Sequence, residues 1–160
     1  MIKLIQENLD RQSKAVLLLS MLLQEEFSLL MNKDPHGVTR VELVIQELMR
    51  QISAERLSMR SFVQKIDPSA QRLGQVLPAI ADEQRKSIEK ILGKIDELEQ
   101  KCGVQATKNH QLAQALLEQS SSMLDFLHRE ITPKERNIYS ARGRYVTSST
   151  PEASLINGRL

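Results

Sequence analysis

Apolar residues recur at alternating steps of three and four along most of this chain, and that spacing constrains the fold more than any other feature. It starts at Ile2, Ile5 and Leu9 and continues at Val16, Leu19, Leu23 and Leu30, with Gln12 and Glu26 filling two seam positions. Steps of three and four keep one stripe of a helix turned toward a partner, whereas a strand would alternate by two. A second stripe, Ala15, Leu18, Leu22 and Leu29, widens the apolar face. A two-stranded coil needs only the narrow seam, so this helix is expected to meet two neighbours.

The segment ends at Asn32-Lys33-Asp34-Pro35-His36-Gly37, a turn signal. A connection of about six residues favours an antiparallel hairpin. The second seam reads Val38, Val41, Ile45, Leu48, Ile52, Glu55, Met59, Phe62 and Ile66, with Glu55 its one polar member. Asp67-Pro68-Ser69 breaks it, and Leu73 to Pro78 reads as a short helical turn or a loop. Pro78 suits the first turn of a third helix, which Thr132-Pro133 stops. The third seam passes Ile88, Ile91, Ile95, Leu98, Cys102, Gln105, Asn109, Leu112, Leu116, Gln119, Met123 and Phe126, flanked by Ala113, Leu117, Leu124, Leu127 and Ile131. Gly103 lies mid-segment and marks either a kink or the limit of the three-helix overlap.

The expectation is an all-α fold: an antiparallel three-helix bundle with helices near 2–31, 38–66 and 78–131. The domain is expected to occupy residues 1–132, and a flexible tail residues 133–160. Composition agrees, since 160 residues hold six Gly, five Pro and no Trp, too little turn punctuation for a many-stranded sheet. From Pro133 onward the periodicity vanishes, yet Ile138, Tyr139, Tyr145, Val146, Leu155 and Ile156 are scattered there, including both tyrosines of the chain.

Charge excludes one large function class. The net charge is +2, too balanced for a duplex nucleic-acid binder, although the tail carries a basic excess through Lys134, Arg136, Arg142, Arg144 and Arg159. Cys102 is the only cysteine and makes no internal disulfide. The most apolar run, Ala15 to Leu23, falls far short of the ~20 residues that span a bilayer. The start of the chain lacks the basic-then-apolar layout of a signal peptide. A soluble cytoplasmic protein is expected.

Catalytic signatures are missing. No nucleophile elbow, phosphate-binding glycine loop or zinc spacing occurs. Asp125 and His128, three apart on a helix, are the sharpest alternative, because a carboxylate and an imidazole at that spacing serve di-iron bundles. Such a site needs a second motif and further Glu ligands; Glu55 supplies one, and the second motif is absent. The expectation is therefore no enzyme, no metal and no cofactor. Cys102 reads as a small buried apolar residue. Asn109 on the seam reads as a residue that fixes register or oligomeric state.

Asn109 and the tail also carry a resemblance. Asn109, Leu112, Leu117, Leu124 and Leu127 fit the Asn and spaced aliphatics of the last helix in the FlgN family of flagellar export chaperones. Ile138-Tyr139-Ser140-Ala141-Arg142-Gly143-Arg144 is similar to the family's Leu-Tyr-Gly-x-x-Gly box, with Ser140 replacing its first Gly. Glu25, Leu29 and Arg60 match loosely, and Gln46 lies near the position of a frequent family Lys. The resemblance implies a small helical chaperone that binds the hook–filament junction proteins FlgK and FlgL before secretion. It also implies that the tail tyrosine docks on the export-gate protein FlhA. Apolar surface in excess of one neighbour's needs places the expected client site at Leu112, Leu116, Leu117, Met123, Phe126 and Leu127, and the resemblance implies Asn109 and Leu124 beside them. The export-gate contact is expected at Ile138, Tyr139 and Gly143. A generic coiled-coil adaptor or dimerisation module is the other reading, and homodimerisation fits either.

Overall fold

A computed structural model describes residues 1–131, whose regular elements are all helices, with no strand among the described residues. The elements are α1 (Ile2–Met31), α2 (Pro35–Ile66), the one-turn helix α3 (Leu73–Val76), a 3-10 turn (Leu77–Ala79) and α4 (Asp82–Ile131). The chain divides into a unit of residues 1–119 and a second that begins at Ser120. The expected tail lies outside the described residues.

Two helix starts differ from the sequence expectation. The Asn32–Gly37 stretch is not all turn. Lys33 adopts the left-handed conformation (φ 54°) that ends α1. Its N–H donates to the Leu30 carbonyl, and the Asp34 N–H donates to that of Leu29, at 3.0 Å each. This pair of hydrogen bonds satisfies two carbonyls that a helix end leaves open. Asp34 then caps α2 by accepting from the Gly37 N–H at 3.0 Å, and Pro35 takes the first helical position. α2 therefore starts at Pro35 and not at Val38. Gly37 serves the close approach of the two helices: a Cβ there would sit 2.7 Å from Leu29 Cδ2 and 2.5 Å from Asp34 Oδ2.

α4 starts at Asp82, not at Pro78, because Pro78 belongs to the 3-10 turn and Ile80 is extended (ψ 144°). Asp82 and Glu83 then place negative charge at the positive end of the helix dipole. α4 runs without a break through Gly103.

In the unit of residues 1–119 the core has two apolar clusters. The lower one joins Ile5 and Leu9 of α1, Met59 and Val63 of α2, and Ile88 and Ile95 of α4 to Ala70, Leu73, Val76 and Ile80 of the α2–α4 connection. The upper one joins Val16, Leu19 and Leu23 to Leu48 and Ile52 and to Leu98 and Cys102. Residue numbers rise from lower to upper cluster along α1 and α4 and fall along α2. So α2 runs antiparallel to both. The α1–α2 hairpin is the tightly packed pair. α4 reaches it through side chains, among them the ion pair of Arg56 with Glu99. Burying each large aliphatic side chain contributes about 1.5–3 kcal/mol, and the α2–α4 connection adds Leu73, Val76 and Ile80 to the lower cluster.

Candidate functional site

Two buried asparagines divide the polar interior of this unit. Asn8 is fully buried. Its amide nitrogen donates to the Glu55 carbonyl at 3.1 Å and to the Glu55 carboxylate, and its oxygen accepts from Gln12 Nε2 at 2.6 Å. Arg11 grips the same carboxylate through Nε at 2.8 Å and Nη2 at 3.0 Å. That fork raises the Arg11 pKa, chiefly through the hydrogen bond to Glu55. The seam gaps Gln12 and Glu55 thus meet in one polar layer between the two apolar clusters.

The second layer lies beyond the upper cluster. Asn109 is 3% exposed. Its Nδ2 donates to the Leu23 carbonyl at 2.8 Å and to Glu26 Oε2 at 2.6 Å, while Gln105 Nε2 donates to its Oδ1 at 2.9 Å. Both layers share one chemistry: an Asn bridging to a carbonyl and a Glu on another helix, steadied by a Gln four residues away. Gln12, Gln105 and Glu26 stood out in sequence as seam positions. Asn8 did not, because it lies off the seam and only its partner Glu55 on α2 explains its burial.

After Asn109 the helix loses its cover. Leu112, Ala113 and Leu116 are half-buried, and Leu117 is 68% exposed. In the second unit every described residue from Ser120 to Ile131 is exposed. Met123, Leu124, Phe126, Leu127 and Ile131 are large apolar side chains that face water at 45–63% of their area. So many exposed apolar residues within one short stretch of helix make it the candidate interaction surface. Ile138, Tyr139 and Gly143 lie outside the described residues.

Other features add little chemistry. A shallow groove between α1 and α4 is lined by Ser20, Gln24, Glu97, Gln100, Lys101, Val104 and Gln105, polar residues but for Val104 that present mainly their apolar stems. The Glu55 carboxylate is held by Arg11 and Asn8. Among the described residues no three His, Cys, Asp or Glu side chains converge on a metal-sized site. No helix there is long and apolar enough to cross a membrane.

The family model for FlgN protein matches residues 1–147, a stretch that includes Asn109, the exposed apolar residues and Tyr139. No curated protein and no solved structure matches.

Proposed function

The chain belongs to the FlgN family of flagellar export chaperones, and on that premise we propose that it binds hook–filament junction proteins of the FlgK and FlgL type in the cytoplasm and delivers them to the export gate. The observation that carries this reading is the exposure of Leu117, Met123, Leu124, Phe126 and Leu127 on α4. Together with the half-buried Leu112 and Leu116 they are the client-binding residues in this reading. A helix with an exposed apolar stripe fits an amphipathic helix of a partner, as in helix-in-groove recognition. The residues 1–119 act as the scaffold, an antiparallel three-helix bundle whose own core is complete. No catalytic step is assigned.

Delivery falls to the second site, Ile138, Tyr139 and Gly143, which contacts FlhA. Tyrosine gives a large contact area at the cost of ordering two torsions and keeps a polar tip. Arg142 and Arg144 beside it speed the encounter with an acidic rim.

Binding titrations with purified FlgK, FlgL and the cytoplasmic part of FlhA test the two-site scheme. The full chain binds FlgK or FlgL, and Tyr139→Ala leaves that affinity unchanged. The same variant weakens FlhA binding by at least about 1 kcal/mol, the usual threshold for an energetically important interface residue. Loss of client binding alone, or FlhA binding that survives the change, contradicts the scheme. A chain that pairs only with itself through α4 points to a dimerisation module instead.

A further inference from the structure

Asn109 is the last buried residue of the described chain, and both amide hydrogens are spent inside it, on Leu23 O and on Glu26. It therefore has no free donor to offer a client. We propose that Asn109 is a positioning residue: with Glu26 and Gln105 it fixes the axial register and rotation of α4 against α1, and so selects which face Leu112, Leu116 and Leu117 present. The inference rests on the client-binding reading above and extends it to residues that do not touch the client. An apolar seam tolerates a slip of one turn, about 5.4 Å. An amide that must meet one carbonyl and one carboxylate does not, which is how a buried Asn sets register in coiled coils. The half-buried Leu112 and Leu116 begin three residues beyond this pin, so a turned or shifted α4 withdraws them and exposes others.

The chain supplies its own control, because Asn8 makes the same kind of clamp between α1 and α2. The test uses the full chain and purified FlgK, titrated well below the melting temperature. Asn109→Asp places an acceptor against the Leu23 carbonyl and Glu26. It is expected to weaken FlgK binding at least about fivefold, within the range of measured pair couplings. Asn109→Asp together with Glu26→Gln returns a donor to the pair and restores most of the affinity, which a residue touching the client would not do. Asn8→Ala lowers the melting temperature and keeps the FlgK affinity within about twofold, inside the spread of independent sites. Unchanged affinity in Asn109→Asp overturns the inference, as does failure of the Glu26→Gln rescue or a parallel loss in Asn8→Ala. A native chain that binds neither FlgK nor FlgL overturns the client reading and this inference with it. Binding that depends on Leu117 and Leu124 but not on Asn109 overturns the inference alone.

Discussion

Cys102 and Asn109 sit two turns apart on one seam and do different things there. Cys102 is 7% exposed, with its sulfur 3.7 Å from the Val16 carbonyl. Burial, and then the charge of Glu99, push its thiol pKa up. The thiolate is the reactive form, so a disulfide reagent should modify the native chain slowly and the chain in denaturant fast. Fast labelling of the native chain would contradict the packing of α4 on α1. The sign of the linkage follows: the folded pKa lies above the unfolded one. The stabilisation is thus complete below the ordinary thiol pKa and is lost as pH rises through the folded value. The sequence reading of Cys102 as a small apolar residue agrees with this placement. Burial at Asn8 and Val63 was not legible, because each lies beside a seam and not on it. Asn8 is drawn in by Glu55 and its neighbours, and Val63 by the Ala70–Ile80 connection that completes the lower cluster.

At the scale of elements, the glycines separate a packing role from a neutral one. Gly103 has nothing within 4 Å of where a Cβ would stand, whereas Gly37 has Leu29 and Asp34 inside 3 Å. Gly103→Ala should stabilise the chain by about 0.5–1 kcal/mol, the propensity gain in a helix interior. Gly37→Ala should destabilise it despite the same gain, because it pushes Asp34 off the N-cap and Leu29 out of the hairpin. Denaturant unfolding of both variants checks the opposite signs; equal stabilisation would mean that the α1–α2 hairpin is looser than described. Three long helices were legible because three/four spacing survives in each. Their starts were less so. Asp34-Pro35 reads equally as a turn and as a cap followed by the first helical residue, and only the Asp34–Gly37 bond decides between them. Pro78 has the same ambiguity, and there the 3-10 turn wins. The Leu73–Val76 helix has no periodicity of its own and forms because Leu73 and Val76 find the open end of the lower cluster.

At the scale of the whole molecule, the chain combines a finished core with an unfinished helix. Residues 1–119 bury two apolar clusters separated by one polar layer and bounded by another. Residues 120–131 are all exposed, although their sequence continues the apolar pattern. The seam was legible along all of α4. The loss of cover past Asn109 was legible only as a mismatch between the long third helix expected at 78–131 and the shorter ones expected at 2–31 and 38–66. The proposal that this exposed apolar stretch of α4 receives another chain is the central claim. Replacing both Leu117 and Leu124 by Ser tests it most directly, with FlgK affinity and thermal unfolding by circular dichroism measured on the same sample. Exposed sites away from structural features shift stability by only about 0.5 kcal/mol, so unfolding should barely move. FlgK binding should be lost. A variant that unfolds globally, or one that stays folded and binds FlgK as tightly as the native chain, would contradict the claim.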